Sequence, residues 1–348
     1  MTVPKFPPHM RRRTAVLQKG AFLIYGCGEK ICKPMTGLAL SNQYFEEYGL
    51  PMLKEQFPEV LPNLACGLFG SGSECLGYDD ELSRDHDFEP GFLILLPGEE
   101  IVDRRTEFLL ERAYAKLPKE FMGVKRSLLS PVGGNRHGVV RMDAFFEEKT
   151  GSPDGVLTAD AWLCVPEQSL LEATGGELFL DVCGKCSRIR EALSFYPEDI
   201  RLKKLAGSLL LMAQSGQYNY RRCLGHGETA AAQLAVFEFV KSAMSVIFLL
   251  NRRYQPYYKW AFRALRALPV LSIEAELMEF LLTTDNDGCM AEEKTAVIEG
   301  IAADVIDVLM DEGLTKAVCG DLEKHAYSVA DGIADASLRN SHILAGVS

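Results

Sequence analysis

The stretch FGSGSECLGYDDELSRDHDF, Phe69–Phe88, decides how the rest of the chain is read. It opens on small residues and closes on Asp85 and Asp87, which flank His86. Ahead of it, NLACGLFG (Asn63–Gly70) is a short apolar run ending in glycine, the pattern of a buried strand that feeds a turn. Behind it, DFEPGFLILLP (Asp87–Pro97) reads as a second strand, approached through the acidic pair. Gly70 and Gly72 let backbone N–H groups come close to an anion, and Ser73 adds a hydroxyl donor. Side chains at i and i+2 of a strand share a face, so Asp85 and Asp87 would present both carboxylates together, about 6.6 Å apart at Cα. Such a pair converges on hard cations, and two Mg²⁺ ions roughly 3.5–4 Å apart would clamp a nucleoside triphosphate. An ordinary polar loop between two strands is the competing explanation, with Asp79, Asp80 and Glu81 solvated within it.

Outward from this stretch, the N-terminal part alternates helix and strand signals. SNQYFEEYGLPMLKEQF (Ser41–Phe57) has apolar residues at helical spacing, with Pro51 splitting it. GEEIVDRRTEFLLERAYAKL (Gly98–Leu117) is an amphipathic helix. RHGVVRMDAFF (Arg136–Phe146) reads as a third strand running into a helix, and GELFLD (Gly176–Asp181) as a fourth strand. Beyond about residue 185 every segment is helical. The expected fold class is α+β: a small mixed sheet with flanking helices, then an all-α bundle. The expected division is an extension over 1–37, an α/β domain over 38–184 and a helical bundle domain over 185–348.

Of 348 residues 47% are hydrophobic and 24% charged, with a net charge of −11. That balance suits a folded domain and argues against broad nucleic-acid binding, because most of the surface repels a phosphate backbone. Ten cysteines at irregular spacing read as free thiols in a reducing, cytoplasmic compartment. Cys183–Cys186 is a lone CxxC without the second pair a structural zinc site needs, and Cys27 with Cys32 is looser still. The apolar run Leu234–Leu250 is short for a membrane span and holds Glu238 and Lys241, so a buried bundle helix and no membrane partner are expected.

The spacing of Gly72-Ser73 and Asp85-x-Asp87 on a strand-turn-strand resembles the signature of the nucleotidyltransferase superfamily typified by DNA polymerase β and kanamycin nucleotidyltransferase. GSECLGYDDELSRDHDFEPGF, PEQSLLEATGGELFLD, REALSFYPEDIRLKKLA and RRYQPYYKW more closely resemble the bacterial family called domain of unknown function 4037, over residues from about 40 to 270. The resemblance implies a nucleotidyltransferase-type sheet with a helical partner domain. It implies that Gly72 and Ser73 hold the triphosphate and that Asp85 and Asp87 hold Mg²⁺; it implies no substrate, and ATP is the co-substrate expected. The superfamily adds a third carboxylate from a neighbouring strand. Asp143 is the candidate, although Val139-Val140-Arg141 ahead of it holds no acid, and a helix-capping role for Asp143 stands beside it. Asp181 reads as a turn former.

NRRYQPYYKWAFRALR (Asn251–Arg266) sets Arg252, Arg253, Lys259 and Arg263 among Tyr254, Tyr257, Tyr258 and Trp260. That mixture suits stacking on a base and neutralising phosphate, and Lys259 is taken as a nucleotide contact. A helix elbow with core aromatics explains the same residues. The function expected is Mg²⁺-dependent transfer of a nucleoside monophosphate from an NTP to an unidentified acceptor: a small molecule, an RNA end or a protein side chain. The alternative is a nucleotide-binding regulatory module of the same fold without turnover. A metal phosphohydrolase built on His86-Asp87 is disfavoured, because such ligands sit on helices with a further upstream histidine and His9 is the only one. A homo-oligomer is compatible with the sequence.

Overall fold

The computed structural model describes residues 35–80, 88–126 and 137–347. Asp85, His86 and Asp87 lie outside the described residues, as do Cys27, Cys32 and the rest of residues 1–34 of the 1–37 extension. Residues Thr36–Ser348 form one compact unit.

The chain opens with α1 (Gly37–Tyr44), a π-helical turn at Phe45–Gly49, and α2 (Leu50–Gln56). Thr36 caps α1 by accepting from Ala39 N at 3.2 Å. Pro51 does not break this helical path. It stands in the first turn of α2, where a missing N–H costs little. Next come β1 (Ala65–Leu68), β2 (Leu93–Leu96), α3 (Arg104–Ala115), the short strands β3 (Glu120–Phe121) and β4 (Val124–Lys125), β5 (Gly138–Arg141) and α4 (Met142–Thr150). α5 (Ala159–Cys164) and α6 (Glu167–Thr174) lead to β6 (Glu177–Asp181). The rest is helical: α7 (Lys185–Ala192), α8 (Glu198–Met212), a π-helical stretch at Ala213–Tyr220, α9 (Arg221–Gly225), α10 (Thr229–Leu250), α11 (Tyr258–Leu265), α12 (Glu274–Thr283), α13 (Gly288–Asp311), α14 (Leu322–Ala330) and α15 (Ala336–Asn340).

Two expectations change in detail. The second strand begins only at Leu93, because Phe88–Phe92 ahead of it is not strand. The helix expected from Gly98 starts at Arg104, where Asp103 caps it by accepting from Thr106 N at 2.8 Å. The β3–β4 hairpin is a feature the sequence reading lacked. Its turn residues Met122 and Gly123 both have positive φ, as two-residue hairpin loops require.

The main sheet has the order β5-β2-β1-β6 and is mixed. β1 is antiparallel to β2 and to β6, while β5 is parallel to β2. All four residues of β1 and of β2 are buried, as expected for strands covered on both faces. Leu93 and Leu95 join Phe69, Phe145 and Leu170 in the large core. Phe92 instead meets Phe45, Tyr44 and Tyr114, with ring centroids 5.0, 6.2 and 5.0 Å away. The large core continues without a break into α8, α10, α13 and α14. α10 is, among the described helices, the one long and apolar enough to cross a membrane; 61% of its apolar window is buried inside the fold, where it packs on α8.

α8 carries a stripe of charge that binds the end of the chain. Asp199 accepts from Ala334 N and Asp335 N at 3.0 and 2.8 Å. Lys203 donates to Ser341 O at 2.9 Å and Lys204 to Gly346 O at 2.8 Å. Gly207 is needed beneath this segment, since a Cβ there would overlap Val347 and the Ile343 carbonyl.

Nearby, Glu167 accepts from Gln255 N at 2.8 Å and from the Tyr196 hydroxyl at 3.2 Å. Burial pushes its carboxyl above the usual range, against the opposing pull of the Gln255 N–H, Lys204 and Tyr196. A carboxyl whose folded pKa is raised contributes stability that is complete below its unfolded pKa of 4.5 and is lost as pH rises through the folded value. Glu167→Gln keeps an acceptor for Gln255 and removes the charge. Urea midpoints at pH 5 and pH 7.5 should show any wild-type advantage over Glu167→Gln shrinking as pH rises. An advantage that grows with pH would mean Lys204 and the hydrogen bonds outweigh desolvation.

Candidate functional site

The strand directions place the Gly70–Ser73 turn at one end of the sheet. The register pairs Gly67 with Leu93 and Leu93 with Gly138, and Leu68 with Glu177. The exit of β1, the approaches to β2 and β5 and the start of β6 therefore lie together. Gly70–Ser73 leaves β1 at this end, and the described chain resumes at Phe88, ahead of β2.

Gly70 and Gly72 have φ of +109° and +123°, a conformation that side chains disfavour, so glycine is needed at both. A Cβ at Gly70 would meet nothing within 4 Å, so its requirement is conformational and the space beside it is open. Ser71, Gly72 and Ser73 are partly exposed. The turn is closed by Tyr78 N donating to Ser73 O at 2.8 Å. Behind it, Arg190 donates through Nη2 to Thr174 O and Gly175 O at 2.6 and 2.7 Å, and its guanidinium lies 5.3 Å from the Phe69 ring centroid. Desolvation lowers the Arg190 pKa, yet an arginine stays charged at any working pH. A fixed positive charge thus stands behind the turn, balanced by the carbonyl end of α6.

Asp79 accepts from Gly37 N, the first residue of α1, at 2.8 Å. Asp80 faces Arg263 at 3.8 Å. Two of the three loop acids expected to be solvated, Asp79 and Asp80, therefore tie the loop to helices; Glu81 lies outside the described residues. Glu89 and His137 stand 3.1 Å apart at the approaches to β2 and β5, and both are largely buried. This pair is the described acid and base at the turn's end of the sheet that sequence reasoning missed. The signal was present: Asp85, Asp87 and Glu89 are spaced by two.

Asp143 lies at the opposite end. Arg141, which pairs with Leu96 at the far end of β2, comes just before it, about 10 Å of strand from Leu93. Asp143 is exposed in the first turn of α4 and accepts from Ala144 N at 2.8 Å. Arg141 is committed to Glu107 at 2.5 Å and to the carbonyls of Pro97 and Val102. The structure does not bring Asp143 together with Gly72 and Ser73. Asp181, also at the far end, accepts from Ser187 N and Ser187 Oγ, both at 2.7 Å, and so caps α7. Cys183 is exposed, while Cys186 is buried with its thiol pushed up to about 12, so the two cysteines occupy unlike environments. Lys259 is exposed on α11 with its ammonium 4.8 Å from the Trp260 ring centroid.

Magnesium would need carboxylate oxygens. Among the described residues no group of three or more His, Cys, Asp or Glu could hold a metal ion. Asp85 and Asp87, the ligands expected from the sequence, lie outside the described residues, and Glu89 is the described acid nearest to them in sequence.

The fold that carries these residues is α+β, a four-stranded mixed sheet followed by a helical region. Residues 162–261 match the family model of domain of unknown function DUF4037. That segment holds the later resembling blocks, from PEQSLLEATGGELFLD to RRYQPYYKW, while the Gly-Ser turn precedes it. A nucleotidyltransferase-like protein from Exiguobacterium sibiricum 255-15, of known crystal structure, is similar at 10% identity and a TM-score of 0.35, over 84% of this chain and 81% of that one. No curated protein matches the chain.

Proposed function

We propose that this protein binds a nucleoside triphosphate at the Gly70–Ser73 turn and transfers its nucleoside monophosphate to an acceptor oxygen. The observation that carries this is the meeting of the positive-φ Gly70 and Gly72 with the approach to β2 at one end of the sheet. Backbone N–H groups of the turn and the Ser73 hydroxyl donate to phosphate oxygens. Asp85 and Asp87 would hold Mg²⁺, which neutralises phosphate charge when bound. The acceptor oxygen bonds to the α-phosphorus as the bond to pyrophosphate breaks, and the acceptor proton is released. The protein's part is alignment and fixed charge. Lys259 is free to turn toward a phosphate only by leaving the Trp260 face.

A second function, nucleotide binding without turnover, is favoured by one feature. Asp143 stands at the wrong end of the sheet, and Glu89, at the right end, is paired with His137. Melting temperatures with ATP, GTP, CTP and UTP, each with and without Mg²⁺, together with pyrophosphate release, separate the cases. A Mg²⁺-dependent rise with pyrophosphate release on adding an acceptor supports transfer, and a rise without release across acceptor classes supports the binding module. No rise at millimolar nucleotide overturns both.

A further inference from the structure

We propose that α11 is a clamp on the Gly-Ser turn, in which Trp260 and Arg263 are positioning residues that fix Ser73 through Tyr78. The inference rests on the nucleotide-binding function above and assigns a role to helical-region residues that the turn itself does not contain.

Tyr78 is held in three ways at once. Its ring stacks on Trp260 with centroids 5.3 Å apart and planes at 15°. Its carbonyl accepts from Arg263 Nη1 at 3.0 Å, and the same guanidinium lies 5.5 Å from its ring centroid. Its N–H closes the turn on Ser73 O. Arg263 also faces Asp80, two residues on, at 3.8 Å. α11 is itself held from α6: Gln255 N donates to Glu167 at 2.8 Å and Tyr257 N to Gln168 at 3.1 Å. The C-terminal carbonyls of that same α6 are the ones Arg190 grips behind Phe69. Two paths from one helix therefore converge on the turn. Trp260 already has Tyr78 stacked on it and the Lys259 ammonium beside it, so a nucleobase would have to displace a protein group to stack there. Its work is to position the turn, and it does not touch the nucleotide.

The test uses the full chain carrying Trp260→Ala, with Trp260→Phe as the conservative variant and Tyr78→Ala as the partner. Amide hydrogen exchange reads the clamp without any nucleotide. The Tyr78 amide should exchange at least about tenfold faster in Trp260→Ala while β1 amides keep the wild-type rate, and Trp260→Phe should restore protection. Affinity for Mg²⁺-ATP, or for whichever triphosphate stabilises the wild type, should fall about tenfold in Trp260→Ala and recover in Trp260→Phe, as the loss of an aromatic stack predicts. Tyr78→Ala/Trp260→Ala should bind no more weakly than either single variant. Unchanged Tyr78 exchange overturns the clamp, whatever the nucleotide result. Faster exchange with unchanged affinity overturns its positioning role. A wild type that binds no triphosphate overturns the nucleotide function instead, and with it the phosphate role given to the clamp.

Discussion

Asp85→Ala/Asp87→Ala should remove the Mg²⁺-dependent rise in melting temperature expected of the wild-type protein with a triphosphate. A ligand at a hundred times its Kd stabilises the native state by about 2.7 kcal/mol, a shift of several degrees for a domain of this size. The metal-dependent part should vanish in the double variant, because its oxygen ligands are gone. Turnover should fall by about 10³ or more, since removing even one fixed stabiliser of developing charge costs about 10²–10³. Asp143→Ala is the contrasting variant. At the far end of the sheet, with its carboxylate on Ala144 N, it should keep activity within about tenfold and lose at most about 1 kcal/mol of helix capping. A drop in turnover comparable to that of the Asp85/Asp87 variant would place Asp143 in the chemistry and refute the division of the sheet into a working end and a structural end.

Gly176→Ala is the most damaging single glycine substitution near the turn. Gly176 has a φ of +71°, and a Cβ there would overlap the Leu68 carbonyl and the Phe69 backbone. Its own N–H donates to Cys75 O at 2.6 Å, so it cannot move away without opening the loop behind Ser73. Left-handed strain of roughly 1–2 kcal/mol adds to overpacking of about 1–3 kcal/mol. A loss of about 3 kcal/mol in urea unfolding, with an unchanged m-value, is expected. Gly70→Ala should cost only the strain, about 1 kcal/mol, because its Cβ points into open space. Equal losses at the two sites would show that backbone conformation alone sets the cost.

Much of the sheet was legible because its strands are short apolar runs ended by glycine or charge: Ala65–Leu68, Gly138–Arg141 and Glu177–Asp181 fall within the expected segments. The start of β2 was misjudged because Phe92 extends the apolar run, yet it packs on aromatics of α1, α3 and the π-turn without joining the sheet ladder. Pro51 looked like a breaker because periodicity does not distinguish a helix interior from a first turn. The candidate turn was legible from Gly70, Gly72 and Ser73. What fixes it was not. Tyr78 and Trp260 are 182 positions apart in the chain, and nothing in either segment names the other. The strand direction that carries Asp143 away from the turn is likewise a property of the assembled sheet. A parallel β5 and an antiparallel one read identically along the chain.

The charged stripe on α8 also sets a schedule for making the protein. Asp199 and Lys203 find the partners described above in residues 334–341, and Lys204, which also reaches the Leu163 carbonyl, finds Gly346. From Asp199 to Gly346 is 346 − 199 = 147 residues, about 7–30 s of synthesis at roughly 5–20 residues per second. Through that interval Asp199 and Lys203, on the helix at the centre of the core, lack these partners. The nascent chain must keep its middle hydrated while its beginning is already able to pair strands. Closure of this contact is therefore a late event, and a ribosome stalled before residue 334 would hold a chain in which Asp199 and Lys203 still lack these partners.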